Sequence, residues 1–296
     1  MLKIKKLRYK ISSLSQFFKY SLGCYRLTNK GLLPKYEILM LAHRLEKGLL
    51  VTETPKPFWG WEKAERIAAL LKINKDEFSN RTGRGVLKAY VEAKKKSDNL
   101  KEVEKAVLFA KNHPEIEKEE VLGGVIPLKN TFFTDSQKEV IEQFFNSRHS
   151  CREFKDIIVS RVDVEAAIAL SLRCPSACNR QVTNCYVYQS KELQTIILTT
   201  NIRAFETGEF NDWFISPGIF AGYLSLSLHL YGIGSCVYRK QLYGSHPYND
   251  KMRKKCNIPG DEMIVLELRI GYYKDEFLAP VSNRHKVEEI VSFVKE

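Results

Sequence analysis

No stretch of this 296-residue chain is apolar for long enough to cross a bilayer, and the N-terminus lacks the unbroken apolar segment and small-residue cleavage site of a secretory signal. A cytoplasmic location is therefore expected. Disulfides are equally unexpected. The seven cysteines (Cys24, Cys151, Cys174, Cys178, Cys185, Cys236, Cys256) are odd in number and irregular in spacing, which suits reduced thiols. Internal repeats and low-complexity tracts are absent, and no Ser, His, Asp triad is evident. No metal site is expected either. Cys174 and Cys178 span a Pro-containing turn, and only His229 and His246, with no second tight ligand pair, could complete a zinc site. With 44% apolar residues the chain can bury one large core or two ordinary ones.

Acidic residues are missing from the first 36 positions, where Lys3, Lys5, Lys6, Arg8, Lys10, Lys19, Arg26, Lys30 and Lys35 stand without a counter-charge. The formal charge of +12 comes from 47 bases and 35 acids, so setting those nine aside leaves 38 bases against 35 acids. A body so nearly balanced has no phosphate-tracking face, which argues against a nucleic-acid partner. Within this leader, Leu7, Ile11, Leu14, Phe18 and Leu22 recur at helical spacing among lysines. Two readings stay open: an amphipathic helix in peripheral contact with an anionic membrane, and a first helix packed on its own protein.

Residues 37–130 read as a mostly helical region. Leu39, Leu41, Ala42, Leu45 and Leu49 form one stripe, Ala64, Ile67, Ala68 and Leu71 a second, and Val86, Leu87, Tyr90 and Val91 a third. Pro55, Pro57 and Gly60 are expected to separate the first two, and Thr82-Gly83-Arg84-Gly85 the last two. A charged helix is expected over Leu100–Asn112, followed by a connector at Gly123-Gly124 and Pro127. Beyond it, Asp135 is expected to cap a helix over 135–145, and Ser160-Arg161-Val162-Asp163 to form a capping box for a helix over 164–172. Strands are expected at Thr183–Gln189 and 194–200, antiparallel because so few residues join them. The apolar stretch 217–232 reads as a buried central helix closed by the Gly-rich turn 232–236. A short basic helix at 250–256, a strand at 263–271 and a last helix from Lys286 complete the reading.

Five segments carry the chemistry. Arg148-His149-Ser150-Cys151-Arg152 sets two guanidinium groups about a hydroxyl, and Pro175-Ser176-Ala177-Cys178-Asn179-Arg180-Gln181 follows one helix later. Cations suit a phosphate, and polar side chains suit the edge of a heteroaromatic ring. Then come Leu230-Tyr231-Gly232-Ile233-Gly234-Ser235-Cys236, Ile270-Gly271-Tyr272 and Ser282-Asn283-Arg284. In this order they resemble the flavin-binding core of the nitroreductase family, over residues 134–296. His43-Arg44-Leu45-Glu46-Lys47-Gly48-Leu49 resembles a segment of a nitroreductase-like subgroup associated with bacterial surface-polysaccharide gene clusters. Physically, His43 shares a helix face with Glu46 or Lys47, as a polar pair or as an ordinary helix terminus with Gly48 near its end.

The resemblance implies an α+β fold, with a mixed or antiparallel sheet flanked by helices and preceded by the helical region. With the leader (1–36) set off by its charge and the helical region (37–130) by its periodicity, the FMN-binding domain is expected over 131–296. By the same resemblance Arg148 holds the flavin phosphate with Ser150 beside it, His149 contributes through its backbone, and Arg152 approaches the pyrimidine edge. Arg284 is a second phosphate ligand. Pro175, Ser176 and Ala177 reach the flavin of a partner subunit in a homodimer, supported by Asn179 and Gln181. Gly234 and Ser235 let the backbone approach the ring. The chain departs from the family between the two strands, where residues 190–193 replace a helix and an Asn-containing ring contact. Asn201 and Arg203 are the nearby polar substitutes.

The function implied is an FMN-dependent oxidoreductase passing hydride from NADH or NADPH to an acceptor. The flavin itself does the bond making, so no catalytic side chain is named. Phe205, Phe210, Trp213, Phe214, Phe220 and Tyr223 serve either as the wall of a planar-substrate pocket or as core. The alternative is a scaffold of the same fold that has lost flavin and acts as a binding or assembly subunit.

Overall fold

The computed structural model describes residues 11, 31–50, 58–117, 123–209, 211–238 and 247–294. Apart from Ile11, the stripe expected in the leader lies outside the described residues, as do Pro55, Pro57, Phe210 and His246.

Four helices come first: α1 (Pro34–Leu49), α2 (Trp61–Leu71), α3 (Glu77–Lys95) and α4 (Leu100–Asn112). Their stripes close on one another around Leu45, Ile67, Leu87 and Tyr90, a core separate from that of the sheet. A buried ion pair, Lys94 Nζ to Glu102 Oε1 at 2.6 Å, ties α3 to α4. The break expected at Thr82-Gly83-Arg84-Gly85 is not there. It falls earlier, at Asp76, whose carboxylate caps α3 by accepting from the Ser79 N–H. Gly83 sits inside α3 for a packing reason: a Cβ there would lie 2.9 Å from Ile38 Cγ2 and 3.2 Å from Ile67 Cγ2. Its missing side chain lets α1 and α2 approach, an advantage that outweighs its low helix propensity.

The second half is α+β. Strands β1 (Thr183–Gln189), β2 (Gln194–Asn201), β3 (Ile233–Tyr238) and β4 (Glu262–Tyr272) form one sheet in the order β1-β2-β4-β3, every pair antiparallel. Helices α6 (Arg161–Ser171) and α7 (Asp212–Leu230) cover one face over Ile196, Leu198, Leu224, Leu228 and Leu268. Helix α8 (Pro247–Lys255) covers the other, with Met252 against Ile197 and Ile264. Tyr36 of α1 belongs to the sheet-side core, and Leu33 N–H donates to Arg203 O at 3.1 Å, so the helical region is anchored where it begins. Among the described residues no helix is long and apolar enough to cross a membrane.

Several local expectations change. Helix α5 (Asp135–Ser147) is capped by Thr134 and Gln137 in a reciprocal box, with Asp135 as its first helical residue. Ser160 precedes α6 but makes no side-chain cap; Asp163 instead accepts from the Tyr272 hydroxyl at 2.7 Å, binding α6 to β4. Of the turn expected over 232–236 only the start survives, since Ile233 already enters β3. Helix α7 is not buried all round: Phe214, Ile215, Tyr223 and Leu230 are exposed. The last helix is reduced to a single 3₁₀ turn, Val287–Glu289, in an exposed tail.

Candidate functional site

Helix α5 ends at Ser147, and Arg148 leaves it with extended dihedrals, φ −72° and ψ 121°. The chain then meets β3. Ser150 forms a parallel bridge with Ser235, and Cys151 N–H donates to Ser235 O at 2.9 Å. It continues over the sheet end to Phe154, which bridges Tyr273, while Lys155 N–H donates to Tyr272 O at 3.0 Å. Two glycines make this crossing feasible. A Cβ on Gly234 would lie 2.8 Å from Cys151 Cβ, and one on Gly271 would lie 2.5 Å from Phe154 Cβ. The first and third segments of the sequence motif are thus brought together. The bareness of Gly234 is used by Cys151 and Tyr273 of the same chain.

Beside Arg148 lies a group that sequence reading did not assemble. Ser147 Oγ donates to Phe144 O at 3.0 Å, so its oxygen accepts from His229 Nε2 at 2.8 Å, and His229 Nδ1 accepts from the Tyr273 hydroxyl at 3.0 Å. Burial holds the His229 imidazole below its ordinary pKa, reinforced by the charges of Arg148 and His149 and opposed by a backbone hydrogen bond at Phe144. Burial also raises the Tyr273 phenol. His149 Nδ1 bonds to Ser147 O at 2.7 Å, so its ring faces back toward α5. The partners of His229 are distant in sequence, which is why no local pattern pointed to them; its place on the apolar α7 stripe was the available signal.

Arg148 is half-buried and pairs with no carboxylate among the described residues. Arg152 is exposed and lines a cleft of about 580 Å³ with Phe154, Lys191 and Glu192 from the β1–β2 turn, and Tyr238 and Arg269 from the sheet. Arg284 lies on the exposed tail, where its guanidinium bonds to Ser282 O; no hydrogen bond or ion pair among the described residues links it to the 148–152 segment.

The segment 175–181 sits elsewhere, against α1 and the start of α7. Ala177 N–H donates to Ser216 Oγ at 3.4 Å, and Gln181 N–H to Ser176 Oγ at 3.2 Å. Asn179 Oδ1 accepts from Gln181 Nε2 at 3.3 Å, leaving both side chains exposed. Cys178 packs on the helical core and Cys174 on the sheet-side core, so the two thiols diverge. The intervening Arg180, which the sequence reading passed over, is fully buried.

Asn201 donates to Asp261 and accepts from Arg203 N–H, and Arg203 reaches Gly31 O, so both hold backbone where they stand. Phe205, Trp213 and Phe220 are core, whereas Phe214 and Tyr223 are exposed. His43 Nδ1 lies 3.7 Å from Glu46 Oε2, and Glu46 also accepts from Gly124 N–H.

The model of the Nitroreductase family matches residues 146–212. No curated protein matches the chain. Among solved structures it is similar to a nitroreductase family protein from Streptococcus pneumoniae, at 23% identity over 52% of this chain and 100% of that one, with a TM-score of 0.42. A nitroreductase with bound FMN from Desulfitobacterium hafniense is 14% identical over 52% of this chain and 97% of that one, with a TM-score of 0.41. An FMN-dependent nitroreductase from Clostridium difficile is 19% identical over 52% of this chain and 98% of that one, also at 0.41.

Proposed function

We propose that the chain is an FMN-dependent oxidoreductase of the nitroreductase family, taking hydride from NADH or NADPH and passing it to an acceptor. The observation that carries this reading is the joining of Arg148-His149-Ser150-Cys151-Arg152 to Gly234-Ser235 at the end of β3, in a chain whose residues 146–212 match that family's model. The donor set fits the cofactor. Arg148 offers a half-buried guanidinium with no carboxylate among the described residues, Ser150 a hydroxyl two positions on in the chain, and Arg152 an exposed cation. When bound, FMN supplies the hydride acceptor and donor. Arg148 and Ser150 would hold its phosphate, with Arg284 reaching it from the tail, and Arg152 would face the pyrimidine edge. Gly234 and Ser235 would line the ring through their backbone. Pro175, Ser176 and Ala177, held by Asn179 and Gln181, would complete the site of a second subunit in a homodimer. We further propose a cytoplasmic enzyme with the 1–36, 37–130 and 131–296 division, in contact with the membrane through its leader and serving surface-polysaccharide biosynthesis.

The visible absorption spectrum after soaking with FMN and gel filtration tests the assignment. A retained flavin band that bleaches anaerobically with NADH or NADPH is expected. Arg148→Ala combined with Arg284→Ala should weaken FMN binding by about 2–5 kcal/mol, from two charge-assisted hydrogen bonds; unchanged affinity removes both from the phosphate site. The short β1–β2 turn at residues 190–193 favours a second reading, a flavin-less scaffold. A folded, dimeric and colourless protein after soaking would select it.

A further inference from the structure

The segment 175–181 holds an improbable backbone. Cys178, Asn179 and Gln181 have φ of 49°, 50° and 49°, the left-handed region that side chains with a Cβ adopt rarely and at a cost. Its own bonds are thin: Asn179 N–H to Ser176 O at 3.0 Å, Arg180 N–H to Ala177 O at 3.1 Å, and the exposed bonds of Gln181. Such a conformation persists only where its surroundings over-determine it.

Arg180 supplies that constraint. Its side chain points from the middle of the strained run into the protein and is fully buried. Nη1 donates to Glu209 Oε2 at 2.9 Å, and Nη2 to Glu209 Oε1 at 3.1 Å, a bidentate pair. Nη2 also donates to Met40 Sδ of α1 at 2.8 Å, and the guanidinium lies over the Phe205 ring at 5.1 Å. Glu209 is itself fixed, because Oε2 accepts from Glu206 N–H at 2.9 Å. Cys178 packs on the helical core from the same turn. The guanidinium therefore joins three parts of the chain: the strained loop, the segment before α7, and the helical region.

We propose that Arg180 is the positioning residue of the flavin-facing loop, and that the helical region, through Met40 and the Arg180–Glu209 pair, holds Ser176, Asn179 and Gln181 in the conformation presented to the cofactor of a second subunit. This inference rests on the flavin reading for its purpose, though not for its mechanics. It gives the helical region a role beyond its own stability. A lysine cannot replace the arginine, since an ammonium has no planar fork for two carboxylate oxygens.

The test is hydrogen–deuterium exchange on the full chain without flavin, comparing the wild type with Arg180→Lys. The amides of residues 176–181 should exchange at least about tenfold faster in the variant, with β2 and β4 as protected as in the wild type. FMN binding, read by titration of the visible spectrum, should weaken by a similar factor. Loop exchange within about twofold of the wild type overturns the proposal. Should Arg180→Lys fail to fold, Glu209→Gln, which keeps the shape and breaks the bidentate pair, decides on the same readout. A wild type that takes up no FMN defeats the flavin reading alone, and the exchange result then still decides the mechanical claim.

Discussion

The proton of His229 is located by its neighbours. Because Ser147 spends its hydroxyl proton on Phe144 O, the imidazole must carry hydrogen at Nε2 and present a bare Nδ1 to Tyr273. Burial and the nearby charges of Arg148 and His149 then favour the neutral ring, lowering its pKa in the folded state. The unfolded chain, with an imidazole near the ordinary value of about 6.5, binds the proton more readily. Stability from His229 is therefore complete at neutral pH and is lost as the pH falls through that value toward the lowered folded one. His229→Gln should flatten the acid side of a stability profile measured by urea midpoints. Tyr273→Phe should raise the His229 pKa followed by NMR, since it removes the hydrogen bond that favours a bare Nδ1. None of this was legible in the sequence: Ser147 and Tyr273 lie 82 and 44 positions from His229. The Arg148–Arg152 segment, by contrast, stands out in the sequence because its residues are contiguous, and the structure joins it to β3 at Ser150. Gly234 was also singled out, and Gly234→Ala should cost about 1–3 kcal/mol, read by thermal or denaturant unfolding, because its Cβ would fall 2.8 Å from that of Cys151.

Elements with a dominant local cause were readable and those with a tertiary cause were not. The β1–β2 hairpin followed from two β-rich runs around a minimal link, and Leu100–Asn112 from its charged helical run, which ends ahead of Pro114. At α3 the glycine-rich sequence suggested a break, and packing against Ile38 and Ile67 reversed the outcome. Gly83→Leu should accordingly unfold the helical region at lower denaturant, although leucine is the better helix former. Helix α5 shows the opposite balance. It has no buried residues, so the reciprocal box of Thr134 and Gln137 must carry much of its local stability. Thr134→Ala should cost about 1 kcal/mol. Exchange protection confined to α5 would report it, and because α5 delivers Arg148 to β3, fraying at its far end need not disturb the site.

Across the molecule, the motif segments other than the tail's Ser282-Asn283-Arg284 divide into two groups. Residues 148–154 and 233–238 meet at the sheet end, while 175–181 lies against α1 and α7. Exposed apolar side chains stand on several elements of the second half: Val140 at 65% and Phe145 at 56% on α5, Ile215 at 51% and Leu230 at 57% on α7, and Leu278 and Phe293 near 90% on the tail. Apolar surface left in water is costly, and a partner that covered it would remove that cost. The proposed homodimer would cover it and bring a second loop 175–181 to each 148–152 segment, the condition that joins both groups in one site. Light scattering should then give twice the chain mass of 34.2 kDa at micromolar concentration. Phe145→Glu would place a charge on that surface without touching a motif residue or a buried one. It should shift the mass toward the monomer and, if the two-chain site is right, release FMN as it does so. A variant that becomes monomeric yet keeps its flavin would show that residues 148–152 and 233–238 bind the cofactor within one chain, and that the loop held by Arg180 serves another purpose.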